Sequence, residues 1–264
     1  MPAWQEFGMT KDRAASSMKI AGGLLKQIAI QNPKTFRMFS SDEFENNKLN
    51  AILDASGRNF QFDQFSRAQR GRVIEILSKH CCQGFMQGYT LTGRKALFPS
   101  YESFLGIIHT TMAQYSKFNK LKPSFIGAVL RLKVEAARVH LPPDGNCFLS
   151  TVSHCLQSKN KVNFMIGSKQ PTAVYLTPGE AATHCQKGAS IWKFASSGGD
   201  GEADVVFVGV GVEITFEIVK AAELLLQMAP DLRVRVVNVT DLYVLRARGT
   251  PPPRPDPRRL CRHV

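Results

Sequence analysis

Asp204–Leu242 reads DVVFVGVGVEITFEIVKAAELLLQMAPDLRVRVVNVTDL. Its first part is a continuous run of Val, Phe and Gly, the pattern of a strand buried on both faces of a sheet. Glu213–Ala229 carries helix formers, and Arg233–Leu242 returns to a Val-rich strand. Strand, helix and strand in succession predict a parallel βαβ crossover. The glycines of GVGVE, Gly209–Glu213, suit a tight strand-to-helix turn. They lack the G-x-G-x-x-G spacing of a dinucleotide site, and Glu213 would repel phosphate.

The same alternation runs upstream. ARVHLPPD (137–144) predicts a strand ending in a Pro turn, NCFLSTVSHCLQS (146–158) a helix, and VNFMIGS (162–168) a buried strand. TPGEAATHCQKGASIWKFAS (177–196) predicts one helix with Pro near its start. In the N-terminal part, residues 10–31 suit an amphipathic helix with Met18, Leu24, Leu25, Ile28 and Ile30 near helical spacing, closed by Asn32-Pro33. TFRMFSSDE predicts a strand running into a loop. SDEFENNKLNAILDAS is expected to open a helix capped by Ser41. SRAQRGRVIEILSKH and the apolar YESFLGIIHTTMAQYSKF are expected to be helical. Glu75–Phe104, EILSKHCCQGFMQGYTLTGRKALFPSYESF, has no simple helical or strand period, the pattern of backbone shaped around something. The class is α/β with parallel sheets buried on both faces.

Composition excludes several function classes. The chain has 264 residues, 44% hydrophobic and 21% charged, which suits a folded chain of one large or two ordinary domains. No apolar run approaches the roughly 18 residues of a membrane span. The N-terminus, MPAWQEFGMTKDRAASSMK, has no apolar signal core, so a cytoplasmic location is expected. Six cysteines show no C-x-x-C pairing and no zinc spacing, which suits reduced thiols and no metal site. The net charge is +13, of which the tail Arg246–Val264, LRARGTPPPRPDPRRLCRHV from Leu245, supplies six Arg against Asp256. The remainder is spread without a basic–aromatic stripe, so no specific nucleic-acid partner is expected. That tail, rich in Pro and Arg, is expected to be disordered.

Two short motifs suggest chemistry. PPDGNCFLSTVSHCL, Pro142–Leu156, resembles the nucleophile motif of OTU-type cysteine proteases, with Cys147 at a helix N-terminus. The downstream histidines His154, His184 and His263 lack the aromatic residue that follows that family's base. The alternative is a Pro-Asp turn with Asn146 capping a helix that buries Cys147. GSKQP, Gly167–Pro171, puts Lys169 at the carboxyl end of a predicted parallel strand, where such sheets bind ligands, or in a solvated loop.

Longer segments carry a resemblance that covers residues 14 to 245. CQGFMQGYTLTGR followed by FPSYESF is similar to the thiamine-diphosphate-dependent phosphoketolases, especially the fungal type. So are KTFRMFSSDEFENNKLNAILDASGRNFQFDQFS, AARVHLPPDGNCFLSTVSHCL, NFMIGSKQPTAVYL and LRVRVVNVTDL. The resemblance implies a truncated pyrimidine-binding domain over 1–171, part of a transketolase C-terminal-like α/β domain over 172–245, and a tail over 246–264. It implies phosphorolytic cleavage of xylulose 5-phosphate or fructose 6-phosphate to acetyl phosphate and an aldose phosphate. Thiamine diphosphate and magnesium would be the cofactors. A phosphorylated ketose and inorganic phosphate would be the ligands, and a second subunit or a full-length homologue the partner. Tyr101 would stack on the aminopyrimidine ring, Lys169 would meet phosphate, and Asn46 and Lys48 of NNKL would sit nearby.

Four departures set this chain apart from the resemblance. Lys79 stands where the family pattern reads Ser-Glu-His. That Glu hydrogen-bonds the pyrimidine and promotes the tautomer that removes the cofactor's C2 proton; an ammonium there opposes catalysis. SKFNKLKPSFIGAVLRLK joins two family segments without the intervening QEHNGFSHQ-like run. Nothing resembles the diphosphate-binding domain, and the likeness ends near Leu245. The expectation is a chain inactive by itself, with a non-catalytic partner of a full-length phosphoketolase as the alternative.

Overall fold

The computed structural model describes residues 1–60, 71–101, 104, 137–199 and 201–245. Helix α1 spans Ser17–Gln31. Its start is fixed by Ser16, whose hydroxyl accepts the Lys19 N–H at 3.2 Å, so the helix begins later than position 10. The preceding strand β1 (Ala14–Ala15) pairs instead with β8 (Thr172–Ala173). Leu24, Leu25 and Ile28 face the core, whereas Ile30 is half exposed. The Asn32 side chain closes the helix by donating to the Ile28 carbonyl at 2.9 Å.

A four-stranded parallel sheet follows, in the order β3 (Arg58–Phe60), β4 (Val73–Glu75), β2 (Phe36–Ser40) and β5 (Lys95–Leu97). Two predicted helices are corrected here. Val73–Glu75 is a strand, because it lies between two neighbours and is buried throughout, which removes any alternation. Residues 41–56 form turns and a short 3-10 turn at Asn50–Ile52, because Asp42 (φ 63°) and Lys48 (φ 62°) adopt left-handed backbone that an α-helix cannot hold. The stretch without visible period is also corrected: Lys79–Leu91 is helix α2, capped by Ser78, whose hydroxyl accepts the Cys81 N–H at 3.3 Å. Gly84 and Gly88 hide its period, since their exposed positions carry no side chain. The predicted helix after Tyr101 lies outside the described residues, apart from Phe104.

The second half follows its predicted order. Strand β6 (Ala137–His140) pairs in parallel with β7 (Val162–Met165) across helix α3 (Gly145–Gln157). Asp144, not Asn146, caps α3. Its buried carboxylate accepts the Cys147 N–H at 2.8 Å, and also the N–H groups of Tyr175 (2.9 Å) and Leu176 (3.1 Å). Asn146 instead tethers the N-terminal segment, accepting from the Met9 N–H at 2.8 Å. Helix α4 (Pro178–Lys187) has a capping box between Thr177 and Glu180 and stops at Gly188 (φ 75°). It is therefore shorter than predicted, and Ala189–Ile191 becomes strand β9. Strands β10 (Val205–Val210) and β11 (Val234–Val239) pair in parallel around helix α5 (Gly211–Met228), and β9 joins β11 antiparallel. Gly211 takes φ 73° at the strand-to-helix turn, the role expected of the glycines there.

Among the described residues the larger apolar core runs from Trp4, Leu24 and Ile28 through Phe36, Met38 and Leu149 to Trp192, Val234 and Val236, and a smaller one holds Phe39, Ile74 and Cys82. The expectation that every sheet is buried on both faces fails for β9–β11. There Val206, Val208 and Ile191 are about half exposed. Among the described residues no helix is long and apolar enough to cross a membrane.

Two buried groups make this fold testable. Removing the Asp144 carboxylate orphans three backbone donors, so Asp144→Ala is expected to lower urea-unfolding stability by about 3 kcal/mol. Burial lowers the pKa of His184, whose ring meets Ser190 and Asn238, and that of His140. The unfolded chain then takes up protons first, so this contribution to stability is present above about pH 6.5 and is lost as pH falls below it. Ring titrations followed by NMR should show midpoints below 6.5 for both; ordinary midpoints would remove this source of pH dependence.

Candidate functional site

The carboxyl ends of β2 and β4 deliver the turn after Ser40 and the start of α2 to one place. Ser40 Oγ accepts the Glu43 N–H at 3.2 Å, and Asn47 donates to the Glu43 carbonyl at 2.7 Å, which fixes the turn. Glu43 is buried at the sheet ends. One carboxylate oxygen receives the Lys79 ammonium. The other accepts Ser100 Oγ at 3.0 Å and the Tyr101 N–H at 3.2 Å. Lys79 also donates to Ser41 Oγ at 2.7 Å. Its ammonium lies 4.9 Å from the centre of the Phe104 ring.

Tyr101 follows Pro99 and Ser100 beyond β5. It meets Phe104 edge-on, with centroids 5.6 Å apart. Over its ring stands the Lys169 ammonium, 3.5 Å from the centroid. The loop that carries Lys169 leaves β7 under tight constraint. The Ile166 N–H donates to the His140 carbonyl at 3.0 Å, and the Ser168 carbonyl accepts the Met18 N–H at 3.2 Å. Gly167 permits this path, because a Cβ there would lie 2.5 Å from the Phe148 ring. The result is a ladder, Lys79–Phe104–Tyr101–Lys169, with a cation at each end and two rings between them.

Of the sequence candidates, the structure brings Lys79, Tyr101 and Lys169 into this ladder. Asn46 and Lys48 sit on the same turn as Glu43 but are exposed. They enter none of the ladder's contacts among the described residues. Sequence reasoning missed Glu43, Ser41, Ser100 and Phe104. The one available signal was an acid at the carboxyl end of a predicted strand, where parallel sheets place functional groups. Glu75, at the end of β4, is a second buried carboxyl; burial raises its pKa and Arg58 lowers it. The protease reading gains no support. Cys147 is fully buried in α3 and burial raises its thiol pKa, whereas a nucleophile needs an accessible thiolate.

Comparison with known proteins agrees with this architecture. The family of D-xylulose 5-phosphate/D-fructose 6-phosphate phosphoketolases matches residues 19–122 and 119–158, and its C-terminal domain matches 169–256. This chain belongs to the phosphoketolase family. A probable phosphoketolase from Schizosaccharomyces pombe is 46% identical over 93% of this chain and 34% of its own length. One from Nocardia farcinica is 36% identical over 97% of this chain and 36% of its own. The chain therefore spans about a third of the curated relatives it matches. The fold is that of transketolases. A Pichia stipitis transketolase superposes with a TM-score of 0.74 at 14% identity, covering 94% of this chain and 39% of that one. A split-gene transketolase, described as an inactive β4 tetramer, gives 0.57 at 14% identity and covers 87% of this chain and 73% of that one.

The Lys79–Glu43 pair is nearly dry, with side chains 13% and 8% exposed. Breaking such a pair on one side leaves a buried charge and costs about 3–5 kcal/mol. Lys79→Met should therefore destabilise the chain by about 3 kcal/mol in urea, and adding Glu43→Gln should recover part of it. A double-mutant coupling below about 0.5 kcal/mol would mean that the two groups act independently.

Proposed function

We propose that this chain is a catalytically silent phosphoketolase relative, which keeps the pyrimidine-side wall of the site but lacks the acid that activates the cofactor. The observation that carries this reading is the Lys79 ammonium, committed to Glu43 at the position where the family's activating carboxylate stands. Family and fold imply thiamine diphosphate, which would supply a carbanion-stabilising thiazolium. The residues here do not fit that group. Tyr101, the ring on which an aminopyrimidine would stack, already carries the Lys169 ammonium on its face. A pyrimidine that must gain positive character would also meet Lys79. Two like charges 4 Å apart cost about 4 kcal/mol at an effective dielectric near 20. The Glu43 carboxylate beside Lys79 is already occupied by three donors, the Lys79 ammonium, the Ser100 hydroxyl and the Tyr101 N–H.

The relatives' reaction, phosphorolysis of a phosphorylated ketose in carbohydrate metabolism, then belongs to longer chains. A non-catalytic role beside a full-length phosphoketolase in the cytoplasm is the second reading. A split-gene transketolase described as an inactive β4 tetramer, 73% of which this chain covers, supports the non-catalytic part of that reading.

Two assays test these readings. The purified 264-residue chain, given xylulose 5-phosphate or fructose 6-phosphate, inorganic phosphate, magnesium and thiamine diphosphate, is expected to release no acetyl phosphate. Calorimetry should register no saturable heat from the cofactor. Turnover above the protein-free blank would overturn the silent reading. The partner reading is expected to show co-elution with a full-length phosphoketolase on size exclusion, and separate elution would remove it.

A further inference from the structure

Helices α3 and α4 bring two thiols together. On α4, Ala181 is fully buried, and Cys185 lies one turn further along the same face, packed against the core. On α3, Cys147 stands in the first turn and is buried. The Cys185 thiol donates to the Cys147 carbonyl at 3.6 Å, and the two side chains are in hydrogen-bond contact. The surrounding backbone fixes this meeting. Asp144 accepts the Cys147 N–H at 2.8 Å, and its other oxygen accepts the N–H groups of Tyr175 and Leu176, just before α4 begins. Asn146 donates to the Leu176 carbonyl at 2.7 Å. The first turn of α3 is thus tied directly to the chain that enters α4. Cys147 is closed to solvent, whereas Cys185 is partly exposed. An oxidant in solution meets Cys185 first.

We propose that Cys185 and Cys147 form a peroxide-sensitive thiol pair, in which Cys185 is the site of oxidation and Cys147 resolves it to a disulfide between α4 and α3. The Cys185 sulfur attacks a hydroperoxide, so that an S–O bond forms as the O–O bond breaks. The thiol proton leaves with the displaced oxygen, as water when the oxidant is hydrogen peroxide. Cys185 is then a sulfenic acid, oxidised by two electrons, and the peroxide is reduced by two. The Cys147 sulfur next attacks the Cys185 sulfur. An S–S bond forms, the S–O bond breaks, and the Cys147 proton leaves with the hydroxide as a second water. Burial divides the two roles. Desolvation, followed by the Cys185 contact and Asp144, raises the Cys147 thiol pKa, which makes it a poor first nucleophile. It suffices as the resolving thiol because its target is already in contact. Phe148, the next residue of α3, packs under Gly167 in the loop that carries Lys169. The disulfide would therefore lock the element beneath that loop. Neither thiol enters the ladder's contacts among the described residues, so the inference stands apart from the catalytic reading.

The test is a hydrogen peroxide titration of the full chain in dilute solution, followed by alkylation of the remaining thiols and mass mapping of the peptides. The expected product is a Cys147–Cys185 linkage within one chain that dithiothreitol reverses. Its melting temperature should rise by roughly 5 °C or more, because the bridge closes a long loop of the unfolded chain. Cys185→Ser should abolish the linkage and leave the Cys147 thiol unmodified, whereas Cys81→Ser, which removes an exposed thiol of α2, should leave the linkage unchanged. In Cys147→Ala, a 1,3-dione probe should trap the sulfenic acid at Cys185. If that variant fails to fold, the peptide map of the unaltered chain decides by itself. A Cys185 that stays reduced at a peroxide dose that oxidises Cys81, or that passes to sulfinic acid without a linkage, would overturn the proposal. So would a bridge from Cys185 to any other cysteine, or a linkage that lowers the melting temperature, since it would then form only in distorted molecules.

Discussion

The Glu43 carboxylate ties together three segments that are far apart in the chain: its own turn after β2, the start of α2, and the Ser100–Tyr101 backbone beyond β5. A buried carboxylate needs either a cation or several hydrogen-bond donors, and Glu43 has both. Its cation, Lys79, comes from the first turn of α2, where the helix dipole disfavours positive charge. The ion pair therefore holds Lys79 against an intrinsic bias of its own helix. It also orders the chain that presents Tyr101, and through Tyr101 the position of Lys169. Remove Glu43 and the ladder of cations and rings loses its fixed end.

That geometry would let the family's fold persist under the proposed loss of its chemistry. The apolar core and the Asp144 cap on α3, bonded to Cys147, Tyr175 and Leu176, make no contact with position 79. A carboxylate at 79 would face Glu43 across the same space, where two like charges cannot both ionise cheaply. A lysine there satisfies Glu43 directly. Lys79 thus suits the folded state, and under the proposed reading it would oppose the activation of a bound pyrimidine. Under that proposal, fold and activity would place opposite demands on one side chain.

Much of the fold was legible because its signals are local. The Val-rich runs of β10 and β11, the Thr177–Glu180 capping box and Gly211 each declare their structure within a few residues. The errors also have physical causes. Val73–Glu75 passes for helix because burial on every side removes alternation, and the turn at 41–48 passes for helix because its acids and Ser mimic a capped start. In the site, Lys79, Tyr101 and Lys169 were visible through their resemblance to family segments. Glu43, Ser100 and Phe104 were not, since an acid near a sheet end has no mark that names its partner.

By itself, then, the sequence determined the α/β class and the order of the crossovers in the second half, because these depend on residue type and short-range pattern. Only the tertiary structure decided what Lys79 touches, which face of Tyr101 is covered, and which residues of β10 stay half exposed. Those follow from contacts between residues tens of positions apart, where packing and charge balance select one arrangement and no local pattern records the choice.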